Sequence, residues 1–174
     1  MARTAAIMIP FYRKIARDNH YARQWSSAVR NVDLDKLLRL FRQTVKLRSP
    51  NLSTNGIGYF LDVPFAAPLY LYTNGTSIQP GEAQFQFSTK AHRTIACAIL
   101  PLYRTIRDSP PFASALVHAI RRGNRPLVER LVRSRVRSPR LHSVALIESG
   151  FAMGFRIPGV KHVYYNEFFR EYTG

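Results

Sequence analysis

The side chains that most often carry out catalysis or bind metals are few and dispersed in this sequence. The five histidines are His20, His92, His118, His142 and His162. None has a second histidine four residues away, the spacing that places two metal ligands on one face of a helix. Asp33 and Asp35 lie close together, but they suit the first turn of a helix better than an acid/base pair. No glycine-rich phosphate loop or nucleophile elbow is present, so the sequence predicts a protein that is not an enzyme and uses no cofactor or metal.

Cys97 is the only cysteine, which excludes a disulfide within the chain. It lies in the apolar run IACAILPLY, and this setting predicts a buried, unreactive thiol. The run has nine residues, far fewer than the roughly 20 needed to cross a bilayer. The N-terminal residues MARTAAIMIPFYRK lack the apolar core of a signal peptide. We therefore expect no membrane span and synthesis in the cytoplasm.

The charge is strongly unbalanced, with 26 Lys and Arg against 10 Asp and Glu and a formal net charge of +16. Such a charge attracts polyanions and repels other copies of the chain at low salt. Two amphipathic segments each carry basic residues on the side opposite their apolar face. The binding residues predicted for a polyanion or another partner are Arg39, Arg42, Arg130 and Arg133.

An internal similarity organises most of the chain. Residues 10–45 align without a gap with residues 101–136, 91 positions later. Identical pairs include Pro10 with Pro101 and Tyr12 with Tyr103, and Trp25 aligns with Leu116. This pattern predicts a tandem duplication of one helical unit followed by strands.

Three helices are predicted in each copy. In the first copy they run from about Thr4 to Arg17, from Tyr21 to Arg30, and from the N-cap Asp33 through Lys46; Pro10 predicts a kink or a helix start. The second copy has a helix containing Pro101, a helix from Phe112 to Arg122, and one from the N-cap Asn124 through about Arg137.

Short β-rich runs follow the helices. The predicted strands are Ile57 to Val63, Leu69 to Tyr72 and Ala83 to Ser88 in the first copy, with a hairpin at Asn74-Gly75, and Phe151 to Ile157 and Val160 to Tyr165 in the second. The expected fold is therefore α+β, with two tandem repeats of a three-helix unit followed by a small antiparallel sheet. The predicted modules are residues 1–88 and 89–174.

The run LYRTIRDSPPFASALVHAIRRGNRPLVERLVRS, followed by a polar connection and the strand SGFAMGFRI, resembles the small inner spore coat proteins of endospore-forming Firmicutes. The resemblance covers Arg93 to Ile157 and, more faintly, Phe11 to Val63. This chain departs from the family in having two modules, and it has no clear counterpart of the family's cysteine-bearing last strand. The resemblance implies a non-catalytic structural subunit of the spore coat, whose partners are other copies of itself or other coat proteins.

The sequence therefore leaves two functional hypotheses open. The first is self-assembly into a homo-oligomer through strand edges and an aromatic tail with Phe168, Phe169 and Tyr172. The second is binding of nucleic acid or another acidic polymer through the basic helix faces, although no recognised nucleic-acid motif is present.

Overall fold

The computed structural model describes residues 1–47, 50–66, 70–147 and 149–172. In these ranges each half of the chain forms three helices and then three strands. The first half contains α1 (Ala2–Arg17), α2 (Asn19–Arg30), α3 (Leu34–Thr44), β1 (Asn51–Thr54), β2 (Gly58–Pro64) and β3 (Tyr70–Ile78). The second half contains α4 (Thr89–Asp108), α5 (Pro110–Arg121), α6 (Arg125–Arg135), β4 (Leu141–Ile147), β5 (Gly150–Phe155) and β6 (Tyr164–Tyr172). The prediction of an α+β fold is confirmed.

Polar side chains define where the helices begin. The Asp33 carboxylate accepts a hydrogen bond from the Lys36 N–H at 2.9 Å, and the Asn124 side chain accepts one from the Leu127 N–H at 3.1 Å. Both N-caps were predicted, because these side chains satisfy backbone donors that have no partner within the helix. The helices α3 and α6 end two residues earlier than predicted, at Thr44 and Arg135. Pro10 and Pro101 lie inside α1 and α4 and start neither helix.

The described strands form one antiparallel sheet in the order β1-β2-β3-β6-β5-β4. The two halves meet where β3 pairs with β6, and Asn74 opposes Phe168 at the middle of that pairing. The sheet is therefore continuous across the boundary proposed between residues 88 and 89, whereas the sequence predicted a small sheet for each module. The division into two modules stays a prediction.

The strand predictions fail at two places in the first half. Asn74-Gly75 is not a hairpin turn but lies in the middle of β3. Gly75 is required there by close packing, since a Cβ atom at this position would lie 2.2 Å from the Tyr59 carbonyl oxygen. The segment 83–88 is a loop, in which Phe85 has a φ of 49°. Leu69, the predicted start of a strand, lies outside the described residues.

The core lies between the helices and one face of the sheet. Trp25 of α2 and Leu116 of α5 are fully buried in it. From β2, the helix-facing side chains Tyr59, Leu61 and Val63 are also fully buried. The described helices all contribute side chains to this single core, so they form one layer on one side of the sheet.

Candidate functional site

The face of the sheet that points away from the helices is the most unusual surface of the molecule. Because side chains alternate along a strand, the residues between the core positions point to this face. They include Phe60, Asp62, Tyr165, Glu167 and Phe169, all of them half-buried. No described helix packs on this face. We call it the open sheet face.

Aromatic rings on the open sheet face occupy space left by glycines of neighbouring strands. A Cβ atom at Gly75 would lie 2.6 Å from Cδ1 of Phe60, and one at Gly154 would lie 3.0 Å from Cε1 of Tyr165. Each ring therefore lies across the adjacent strand instead of standing up from the sheet. The result is a low aromatic surface with few projecting side chains, which suits contact with another flat surface.

Charge is distributed unevenly between the two sides of the molecule. Within the described strands Arg170 is the only Lys or Arg, and it alternates with Phe169 and so points to the helical side. The described side chains of the open sheet face instead include two carboxylates. Asp62 accepts hydrogen bonds from Asn51 and Thr73, both at 2.8 Å. Burial raises the pKa of the Glu167 carboxyl above its ordinary value. The net positive charge is thus carried by helices and loops.

The predicted basic residues are all exposed on α3 and α6. Arg39, Arg42 and Arg130 have no ion-pair partner in the described part of the chain, whereas Arg133 Nε lies 2.8 Å from the Glu129 carboxylate. The structure does not bring the two pairs together. Helix α3 packs near β1 and α6 near β4, and these edge strands are five strand spacings apart, about 24 Å.

The three predicted assembly residues have different surroundings. Phe168 is fully buried, and its ring stacks on Tyr103 with 5.5 Å between the centroids. It is a core residue and offers no surface to a partner. Phe169 lies on the open sheet face and is half-buried. The side chain of Tyr172 lies outside the described part of the structure.

A closed ring of buried hydrogen bonds crosses the middle of the molecule, and the sequence analysis missed it. The Tyr12 hydroxyl donates to Asn74 Oδ1 at 2.8 Å, and Asn74 Nδ2 donates to the Tyr103 hydroxyl at 2.5 Å. The Tyr103 hydroxyl donates to Asn166 Oδ1, and Asn166 Nδ2 donates back to the Tyr12 hydroxyl, both at 2.9 Å. Burial raises the pKa of both tyrosines above 10.0. The ring is therefore neutral and joins α1, α4, β3 and β6.

The residues with potential for chemistry do not assemble into a reactive site. His92 is fully buried, and its Nε2 lies 2.8 Å from the Tyr59 hydroxyl. Among the described residues, no three His, Cys, Asp or Glu side chains are grouped so as to hold a metal ion. Cys97 is exposed, so the prediction of a buried thiol is wrong. It lies on the solvent side of α4, while its neighbour Ala96 faces the core.

None of the described helices combines the length and apolar character needed to cross a membrane. Comparison with protein-family models, with curated proteins and with solved structures found no significant match to this chain. The fold defines an α+β protein with one helical layer and one open sheet face.

Proposed function

We propose that this chain is a non-catalytic structural subunit that associates with other copies of itself through the open sheet face. The observation that carries the proposal is the uncovered aromatic surface around Phe60, Tyr165 and Phe169. An uncovered apolar sheet face is typical of a surface that becomes buried in an assembly. The partner we propose is a second copy, packed sheet to sheet.

The distribution of charge favours this packing over contacts between helical layers. A net charge of +16 opposes association, but the described cations lie in helices and loops or, like Arg170, on the helical side of the sheet. Two sheets packed face to face are about 10 Å apart, so the helical layers outside them are separated by more than the Debye length of about 8 Å at physiological salt. Repulsion between the subunits is then largely screened.

We further propose that the fold arose by duplication of one unit with three helices and three strands. Helices α2 and α5 each have 12 residues, and α3 and α6 each have 11. The N-caps Asp18 and Ser109 occupy aligned positions, as do Asp33 and Asn124. The sheet order is also symmetric about the β3–β6 pairing. The chain then corresponds to two units fused in tandem.

The resemblance to inner spore coat proteins extends the proposal to a location. A subunit that associates through a flat surface suits a proteinaceous layer, and the spore coat is the layer that the resemblance suggests. Other coat proteins with a flat apolar surface would be additional partners. This extension rests on the resemblance alone.

Sedimentation velocity tests the sheet contact. We expect self-association that becomes stronger as the salt concentration increases, because salt screens the repulsion between subunits. The substitution Phe169→Ser should weaken the sheet contact at least tenfold, and Phe60→Ser should act in the same direction. Phe112→Ser is the matched control, since Phe112 is a half-buried phenylalanine of the helical layer. A wild-type chain that stays monomeric at high protein concentration and at every salt concentration would exclude the proposal.

Binding of polyanions is the second candidate, favoured by the exposed and unpaired Arg39, Arg42 and Arg130. Because the two basic surfaces lie at opposite edges of the sheet, each would act separately. Such binding would weaken steeply with salt and show little sequence preference. Binding of nucleic acid that is sequence-selective and resistant to salt would instead favour a dedicated nucleic-acid-binding protein.

A further inference from the structure

The loop between β3 and α4, residues 79–88, places one aromatic side chain in a specific site. Phe87 is buried, with 2% of its surface exposed. Its ring packs against those of Tyr59, His92 and Tyr164, with centroids 5.1 to 6.0 Å away. This site holds the loop against β2, α4 and β6.

Two hydrogen bonds hold the main chain of the same segment. Arg30 Nη1 donates to the Phe87 carbonyl oxygen at 2.7 Å. The Ser88 N–H donates to the Tyr164 hydroxyl at 2.8 Å. The site therefore recognises an aromatic side chain, the carbonyl group of that residue and the N–H group of the next one.

The positions that correspond to Arg30, His92 and Tyr164 under the proposed duplication line a cavity of about 210 Å³, whereas the counterpart of Tyr59, Phe151, does not line it. Helix positions correspond at a spacing of 91 residues and strand positions at a spacing of 92. Arg30 therefore corresponds to Arg121, His92 to Met1, and Tyr164 to Tyr72. The described residues that line the cavity are Met1, Tyr72, Val117, Ile120, Arg121, Ser149 and Arg170. A cavity of about 150 Å³ accommodates a benzene molecule, so this one is large enough for a phenylalanine ring.

The polar groups that would hold a segment in this cavity are available. Neither the Arg121 guanidinium nor the Tyr72 hydroxyl has a hydrogen-bond partner among the described residues. Arg121 is exposed and Tyr72 half-buried, whereas Tyr164 in the filled site is almost completely buried. No described residue fills this cavity as Phe87 fills its own site.

A second aromatic residue of the same loop is exposed. The sequence Gln84-Phe85-Gln86 repeats the Gln-Phe-polar pattern of Gln86-Phe87-Ser88. Phe85 is 64% exposed, the most among the large apolar side chains described. The side chains of Phe85 and Val32 both lie close to Gly56. Both residues have a left-handed backbone conformation, with φ of 49° for Phe85 and 54° for Val32. Such strain in bulky residues is often retained where a segment is used for binding.

We propose that Phe85 of one copy docks into the cavity beside Arg121 and Tyr72 of a second copy. The Phe85 ring fills the cavity, its carbonyl oxygen accepts a hydrogen bond from Arg121, and the Gln86 N–H donates to the Tyr72 hydroxyl. This contact rests on the proposed self-association and adds a second kind of interface to it. Because Phe85 and the cavity are different parts of the molecular surface, the contact is heterologous and would link copies into chains.

The experiment places the docking residue on one chain and the intact cavity on another. All chains carry Phe169→Ser, so that the sheet contact is weakened in every sample. A Phe85→Ser chain, labelled with a fluorophore at Cys97, keeps the cavity but lacks the docking residue. It is titrated with unlabelled Arg121→Gln chain, which keeps Phe85, and complex formation is followed by fluorescence-detected sedimentation. Two further labelled chains carry Phe85→Ser together with Arg121→Gln or with the control Arg122→Gln. Arg122 is an exposed neighbour that does not line the cavity.

We expect the labelled Phe85→Ser chain to form a 1:1 complex, and the Arg122→Gln control to bind with the same affinity. The labelled chain that carries Arg121→Gln in addition to Phe85→Ser should bind at least tenfold more weakly. The proposed docking is wrong if the labelled Phe85→Ser chain stays monomeric at all partner concentrations. It is also wrong if the additional Arg121→Gln substitution in the labelled chain leaves the affinity unchanged. Since the sheet contact is judged separately by comparing wild type with Phe169→Ser, failure here would leave that proposal intact.

Discussion

His92 is a residue whose charge state is strongly constrained by the fold. Burial lowers its pKa from 6.5 to about 3, so the ring is neutral in the folded protein at all but the most acidic pH. The Tyr59 hydroxyl satisfies Nε2, while Nδ1 has no hydrogen-bond partner in the described structure. A buried, neutral histidine of this kind lowers stability in acid, because only the unfolded chain can take up the proton.

We predict that His92→Met reduces the loss of stability on acidification. In the wild type, this histidine makes little difference to the pH dependence above about pH 7.5, and the free energy of unfolding falls as pH drops from there towards 3. Between about pH 7.5 and 5 the loss due to His92 should be about 2 kcal/mol. Urea denaturation at a series of pH values measures this slope. The control His118→Met, at an exposed position, should keep the wild-type slope; an unchanged slope in His92→Met would contradict the assignment.

At the scale of elements, local chemistry predicted the helices better than the strands. Asp33 and Asn124 mark helix starts because capping depends only on neighbouring backbone groups. The prediction of a hairpin at Asn74-Gly75 is wrong, because the role of these residues depends on distant partners. The Asn74 side chain forms hydrogen bonds with Tyr12 and Tyr103, and Gly75 packs against β2. Strands β1 and β4 were not predicted at all. The joining of all six described strands into one sheet depends on the β3–β6 register, which no local pattern encodes.

The Tyr–Asn ring should act as a cooperative link between elements. Tyr12→Phe and Tyr103→Phe each remove one hydroxyl and leave asparagine groups unsatisfied, so each should reduce the free energy of unfolding by about 1–3 kcal/mol. Because either change opens the ring, the double variant should lose clearly less than the sum. Urea denaturation of the two single variants and the double variant measures the coupling. Tyr165→Phe, whose half-exposed hydroxyl has no hydrogen-bond partner among described residues, should change little. Strict additivity would show that the ring is not a cooperative unit.

At the scale of the whole molecule, the two faces differ in charge and in chemistry. Helices and loops carry the excess of Lys and Arg, and the open sheet face carries aromatic side chains and carboxylates. The aromatic assembly surface predicted from the sequence included Phe168. This side chain points into the core, because side chains alternate between the two faces of the sheet along β6. Which aromatic residue faces outward depends on strand register, so the sequence alone could not distinguish Phe168 from Phe169.

Pulsed electron paramagnetic resonance on chains spin-labelled at Cys97 tests the sheet-to-sheet contact most directly. Cys97 is the only cysteine and is exposed on α4, in the helical layer. The measurement uses the Phe85→Ser variant, so that only the sheet contact is observed. Packing of two open sheet faces places the helical layers on opposite outer sides, and the distance between labels should be about 30 Å or more. A distance of about 20 Å or less, as expected for contact through a helical layer, or the absence of any dipolar coupling between copies, would contradict the account.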